Sequence, residues 1–153
     1  GRVIARDYAA THLVLVGVLQ GAIPFVADLM RAVALDLTVD FLRTSSYGSG
    51  TTSSGTVELV TDLSVDIADR HVLLVDDIVD TGHTLAALKR TLEARRPRSV
   101  RACVLLDKTG RRETQVTIEY IGFTIPNVFV VGYGLDYDGL YRNLPYVAAL
   151  DGI

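Results

Sequence analysis

The densest run of reactive side chains is Val72-Leu73-Leu74-Val75-Asp76-Asp77-Ile78-Val79-Asp80-Thr81-Gly82-His83-Thr84. An apolar strand there delivers two adjacent carboxylates, and a tight turn carrying Asp80, two hydroxyls and a glycine opens a helix. The free backbone N–H groups of a helix start, with Thr81, Thr84 and the close approach allowed by Gly82, form a cradle for a phosphate monoester. Aspartates are poor partners for that phosphate and good partners for a ribose diol and Mg²⁺. Three carboxylates after a buried strand are costly unless something cationic or hydroxylated meets them. Other nucleotide signatures are absent: no Gly-Lys pair supports a P-loop, and neither Gly48-Ser49-Gly50 nor Gly132-Tyr133-Gly134 extends to a dinucleotide fingerprint.

Elements to position such a site can be read along the chain. Val3 to Tyr8 reads as the tail of a helix, and because the chain starts at Gly1 without methionine, further N-terminal sequence is expected. Leu13 to Val18 is a buried strand ended by Gln20-Gly21, and Pro24 opens an amphipathic helix through Phe25, Leu29 and Val33. Leu35, Leu37, Val39 and Phe41 alternate with polar residues, which predicts a strand at or near a sheet edge. Val57 to Val60, His71 to Val75, Ser99 to Leu106, Val116 to Ile121 and Asn127 to Val131 read as further strands, and Gly82 to Arg95 as a helix stopped by Pro97. The tail from Tyr137 to Leu150 reads as irregular. Residues 44–56 are Ser, Thr or Gly everywhere except Tyr47, so a mobile loop is expected, with its one bulky residue suited to a lid that excludes water.

Strands followed by helices favour an α/β fold with a parallel sheet, in which ligands sit outside the carboxyl ends of the strands. One domain over 1–153 is expected from the length. Apolar residues make up 49%, enough to bury a core, and the single cysteine, Cys103, excludes an intrachain disulfide and suits a reducing, cytoplasmic setting. A net charge of −3 gives no broad positive field for nucleic acid, leaving only a small basic cluster at Arg95, Arg96, Arg98 and Arg101. No apolar run approaches the roughly 20 residues needed to span a bilayer, so no membrane partner is expected.

The Asp76 to Thr84 segment resembles the phosphoribosyl-pyrophosphate loop of type I phosphoribosyltransferases. Further matches narrow the resemblance to hypoxanthine-guanine phosphoribosyltransferase: Leu19-Gln20-Gly21 after the first strand, Ser46-Tyr47 in the loop, Lys108 after Leu105-Leu106-Asp107, and Val128 to Tyr137 with Arg142. They cover essentially the whole chain in order. The resemblance implies a sheet with a parallel core flanked by helices, a small hood from the chain ends and a flexible lid. It implies transfer of ribose 5-phosphate from phosphoribosyl pyrophosphate to N9 of hypoxanthine or guanine, giving IMP or GMP and pyrophosphate. The phosphate and ribose would be held by Asp76, Asp77, Asp80, Thr81, Gly82, His83 and Thr84, with Asp80 as general base or acid at purine N7. Ile78 and Phe129 would sandwich the purine, Lys108 would donate to O6, the Val130 backbone would meet the base edge, and Asp136 would lie beside it. Pyrophosphate would meet Leu19, Gln20, Gly21 and Arg142, and Mg²⁺ would take Asp76, Asp77 and Asp136. A homodimer or homotetramer is implied as well.

Two positions depart from the family pattern: Gln20 stands where many members carry lysine, and His83 where lysine or a small polar residue is common. Two alternatives stay open on the residues alone. One is a sister enzyme for xanthine, adenine or a pyrimidine, against which Lys108 argues as a donor suited to a 6-oxo group. The other is a non-catalytic sensor of phosphoribosyl pyrophosphate, which would need a larger basic face.

Overall fold

A computed structural model describes residues 1–45 and 57–152. Its frame is a six-stranded sheet in the order β3-β2-β1-β4-β5-β6, formed by β1 (Leu13–Leu19), β2 (Leu37–Thr44), β3 (Leu59–Thr61), β4 (His71–Val79), β5 (Ser99–Asp107) and β6 (Tyr120–Thr124). All neighbours pair in parallel except the short edge strand β3, which runs antiparallel to β2. Because β1 leads outward to β2 while β4 leads outward to β5 on the other side, the order reverses between β1 and β4. A crevice opens at the carboxyl ends there.

Alternation along the strands divides the core in two. Leu13, Leu15, Leu73 and Val75 face α1 (Arg2–Asp7) and α2 (Ile23–Ala32), packing with Ile4, Tyr8, Val26 and Leu29. Val14, Val16, Val72, Leu74, Ala102 and Val104 face α3 (His83–Glu93) through Leu85, Leu88 and Leu92. Both sides of β1 and β4 are thereby buried, which is why these strands read as continuous apolar runs. Placing α2 and α3 on opposite faces follows from right-handed crossovers leaving the switch point in opposite directions.

Several strand expectations change length, the one over Val57 to Val60 forming only over Leu59–Thr61. β4 continues to Val79, pairing with β5 as far as Val79 and Asp107, so Asp76 and Asp77 lie inside the strand and not beyond its end. The Val116 to Ile121 strand begins only at Tyr120: Glu119 Oε2 accepts the Ala102 N–H at 2.6 Å where a strand carbonyl would otherwise stand, and Val116 and Ile118 pack on the α3 side from a loop. Of Asn127 to Val131 only β7 (Val130–Val131) forms, pairing with β8 (Ala148–Ala149), since the Val128 N–H turns back onto the Pro126 carbonyl. Together β7, β8 and the turns between them make the hood, and the N-terminal residues contribute α1 to the core instead.

Candidate active site

Adjacent residues of a strand leave it toward opposite faces, so Asp76 and Asp77 line different cavities, although their carboxyls remain within hydrogen-bonding reach of each other. Asp76 joins the α3 side, where a cavity of about 130 Å³ is lined by Ile78, Asp80, Thr81, Gly82 and Thr84. Asp76, Asp80, Thr81, Gly82 and Thr84, expected from the sequence to hold phosphate and ribose, thus line one cavity. Gly82 takes φ +91°, the left-handed region a glycine enters without strain, and caps α3. Its missing Cβ matters twice, because one there would press against Arg112 Cδ and the Thr114 carbonyl, each at 2.9 Å. The Glu113 and Thr114 N–H groups donate to the Thr81 carbonyl at 2.9 and 3.1 Å, clamping the turn from outside. His83 is drawn into the same clamp: Nε2 meets Glu113 Oε2 at 3.0 Å and Nδ1 meets Thr114 Oγ1 at 2.6 Å. Its imidazole is engaged with that loop, and its backbone N–H belongs to the first turn of α3, where no intrahelical acceptor exists.

Asp77 faces the other way, into a cleft of about 240 Å³ that it shares with Ile78, Asp80, Lys108, Phe129, Val130, Leu135 and Asp136. Residues from three distant segments, expected to meet around one purine, converge here. Phe129 stands edge-on to Tyr137 with ring centroids 5.6 Å apart, which fixes its plane. Lys108 is only 7% exposed, its ammonium makes no hydrogen bond to the described residues, and Nζ lies 4.0 Å from Asp80 Oδ2. A buried ammonium without an acceptor is costly, and an arriving carbonyl oxygen would offset that cost.

Asp80 and Ile78 line both cavities and join them. Arg111 Nε lies 3.1 Å from Asp80 Oδ1 at an angle that makes no hydrogen bond, so that oxygen keeps its lone pairs for another donor. Arg111 was not singled out by the sequence; it sits on the single 3-10 turn Thr109–Arg111 that follows Lys108. Arg112, next along, forms an ion pair with the buried Asp107 and leaves Nη1 without a partner beside Gly82.

The loop after β1 closes the site from the α2 side. Leu19-Gln20 is a cis peptide. A Cβ on Gly21 would overlap Asp77 Oδ2, and one on Gly134 would overlap the Gly21 carbonyl, so the Asp77 carboxylate packs on the backbone of the β1 loop and the hood meets that loop backbone to backbone. Arg142 secures the hood, donating to the Gly134 carbonyl at 2.6 Å and pairing with Asp136 Oδ1 at 2.9 Å. Ser46 and Tyr47, expected in a lid, lie outside the described residues.

The aspartate pair is electrostatically loaded. Burial, and then the Asp77 charge beside it, push the Asp76 carboxyl well above the usual carboxylate range. Burial also raises Asp77, while the Asp76 hydrogen bond, backbone N–H groups and Arg142 hold it back. A carboxyl whose folded pKa exceeds its unfolded value of about 4 binds more protons in the folded chain, so its contribution to stability falls as pH rises above that value. Asp76→Asn keeps an oxygen for the Asp77 N–H, which donates to Asp76 Oδ1 at 2.9 Å. Without ligand it is expected to raise Tm at pH 7 by at least about 2 °C, with the gain vanishing near pH 4. Thermal unfolding across that pH range measures this, and equal Tm values at pH 7 would count against a buried charge.

The expected Mg²⁺ ligands Asp76, Asp77 and Asp136 do not form one cage: among the described residues no three such groups are gathered to hold a metal ion. The carboxyls of the first two lie within hydrogen-bonding reach of each other, and Arg142 occupies the third. The donor set still fits Mg²⁺, which commonly takes one or two carboxylates and completes its shell with water and substrate phosphates. Two adjacent, buried carboxylates with raised pKa are a place where a cation would relieve repulsion.

The described residues contain no helix long and apolar enough to cross a membrane. A family model described as the phosphoribosyl transferase domain matches residues 3–138. Over 149 residues the chain is 53% identical to hypoxanthine-guanine phosphoribosyltransferase of Mycobacterium avium, covering 95% of this chain and 73% of that protein. It is 48% identical over 149 residues to hypoxanthine phosphoribosyltransferase of Escherichia coli, covering 96% and 84%. A crystal structure of hypoxanthine phosphoribosyltransferase from Staphylococcus aureus superposes with a TM-score of 0.92 at 43% identity, covering 98% of this chain and 82% of that one. On the family model, the curated relatives and the shared switch-point sheet, the chain belongs to the phosphoribosyltransferase family, in its hypoxanthine-guanine branch.

Proposed function

We propose that this chain is a purine-salvage enzyme that transfers the ribose 5-phosphate of phosphoribosyl pyrophosphate to N9 of hypoxanthine or guanine, releasing pyrophosphate and IMP or GMP. The observation that carries this reading is the cleft in which Lys108, Phe129, Ile78 and Val130 meet, joined through Asp80 to the cradle of Thr81, Gly82 and Thr84.

The free N–H groups at the start of α3, with the Thr81 and Thr84 hydroxyls, bind the 5-phosphate. Asp76 and Asp77 accept from the ribose hydroxyls. Ile78 and Phe129 hold the base between them, and the Lys108 ammonium donates to O6. In that pose Asp80 faces N7 and manages its proton as N9 bonds to C1′. Positive charge grows on C1′ as the pyrophosphate bond breaks, and the aspartates of β4 stabilise it electrostatically. Backbone N–H groups around Leu19, Gln20 and Gly21 receive the departing pyrophosphate, joined by Arg142 when it gives up Asp136. Gln20 meets it as a neutral amide. Mg²⁺, held by Asp76 or Asp77 and by Asp136, supplies charge neutralisation for the pyrophosphate when bound. Ser46 and Tyr47 close over the centre and keep water from the reactive sugar. The chain acts in the cytoplasm, as a homodimer or homotetramer.

The test offers phosphoribosyl pyrophosphate with each nucleobase in turn, with and without Mg²⁺. IMP or GMP forming only with Mg²⁺ is expected. Adenine turnover above that of hypoxanthine and guanine would replace this reading by the sister enzyme, and binding of phosphoribosyl pyrophosphate without turnover of any base by the sensor.

A further inference from the structure

The opposite end of the sheet carries a second concave site. At the amino ends of β1, β4 and β5 the chain leaves a cleft of about 460 Å³, within the size range of small-molecule sites, lined by Thr11, His12, Asp69, Arg70, His71 and Arg98. We propose that this cleft binds a phosphate-bearing small molecule with two or more negative charges, held by Arg70, Arg98 and the two imidazoles.

The cleft gathers two guanidinium groups that have no carboxylate partner among the described residues. Arg6, Arg31, Arg95, Arg111, Arg112 and Arg142 each stand against a carboxylate. Arg70 and Arg98 do not; Arg2, Arg43, Arg96 and Arg101 also lack a carboxylate partner among the described residues, but Arg70 and Arg98 line one cleft together, in a chain with three more acidic than basic residues. Arg70 donates from Nη2 to Thr38 Oγ1 at 2.9 Å, and the Arg98 guanidinium has no side-chain partner among the described residues. Asp69 is the one carboxylate lining the cleft. Arg98 and Arg101 also reinforce the burial that lowers the His71 pKa, so their positive field is felt inside the cleft.

The arrangement is also held in place. Asp69 N–H donates to the Arg96 carbonyl at 3.1 Å and Arg98 N–H to the Arg70 carbonyl at 2.8 Å, which locks the two arginine-bearing turns together. His71 is oriented by Ser99 Oγ at 2.7 Å from Nδ1 and by the edge of Tyr8, leaving Nε2 as its free ring nitrogen. Two guanidinium forks on a fixed backbone suit the several oxygens of a phosphate better than the two of a carboxylate. A concave site this small on an acidic protein favours a compact phosphate ester or diphosphate over a nucleic-acid strand.

β4 runs from His71 at this cleft to Asp77 at the transfer site, a span of about 20 Å at roughly 3.3 Å per residue. The chain's three histidines therefore report separately: His12 and His71 on the cleft, His83 on the phosphate cradle. Inorganic phosphate and then adenosine diphosphate are titrated without Mg²⁺ into protein labelled with ¹⁵N in its imidazoles. Expected is a saturable shift of His12 and His71 with one shared midpoint, distinct from that of His83. Arg98→Ala should raise the shared midpoint about tenfold or more while leaving the His83 midpoint and the turnover of phosphoribosyl pyrophosphate unchanged. Asp69→Asn keeps a residue that tolerates the φ of +57° and should lower the midpoint several-fold by removing the opposing charge. Tighter binding of adenosine diphosphate would mark an organic phosphate as the ligand, and equal binding a free oxyanion. Shifts that never saturate, or a midpoint indifferent to both substitutions, would overturn the site.

Discussion

Asp80→Asn is expected to lower kcat by about 100-fold or more, the usual range for loss of a general acid or base, with the Michaelis constants for both substrates changed little. The expectation rests on position: among the described residues Asp80 is the one ionisable residue that lines both cavities, with Oδ1 lacking a hydrogen-bond partner and Oδ2 4.0 Å from the Lys108 ammonium. Asparagine has the same shape and an oxygen for Arg111, so the turn should survive. What it lacks is a carboxylate able to exchange a proton with N7. Steady-state kinetics together with thermal unfolding separate the outcomes. Unchanged kcat would remove Asp80 from the chemistry, whereas a large fall in Tm would assign it to holding Arg111.

The cradle was legible because everything that makes it is local. A buried run, two aspartates, a Gly82 turn and a helix start occupy one unbroken stretch, and the physics of each is set by its immediate neighbours. The purine cleft was legible only through the family resemblance. Nothing in the spacing of Ile78, Lys108 and Phe129 says that the carboxyl ends of β4 and β5 will bring them together with the hood, because strand order is a long-range property. Where single contacts decided the outcome, the pattern misled. Val116, Ile118 and Tyr120 alternate as a strand would, yet the Glu119 carboxylate takes the Ala102 N–H and delays the ladder until Tyr120. Extension of β4 through Asp76 and Asp77 was likewise hidden, since two aspartates read as a strand's end until β5 is seen to pair beyond them. That extension puts both aspartates inside a paired strand, while Asp136 of the expected metal triad is taken up by Arg142. Arg70 and Arg98 form a cleft only because the turns around Asp69 and Arg96 are joined.

Choice of base rests on Lys108, and its replacement carries the second large effect. Lys108→Met keeps an unbranched apolar stem in a position only 7% exposed, so β5 and the turn after it should hold. In the proposed pose the lost ammonium is the donor for O6. A hydrogen bond to a charged group contributes about 1.5–3 kcal/mol, so 6-oxopurine affinity should fall roughly 10- to 150-fold. Affinity for phosphoribosyl pyrophosphate should stay nearly constant, because the 5-phosphate is met by the start of α3 and not by β5. Removing the cation also takes away the charge 4.0 Å from Asp80 Oδ2, but Arg111 remains at 3.1 Å from Oδ1, so the turn keeps a counter-charge. Calorimetric titration of each substrate into Lys108→Met and the unaltered protein measures both affinities. Equal weakening toward the two would make Lys108 a structural support of the turn. Unchanged binding of hypoxanthine and guanine would mean that O6 is read by another group, and the case against an adenine or pyrimidine enzyme would lose its main support, since no other buried cation lines that cleft among the described residues.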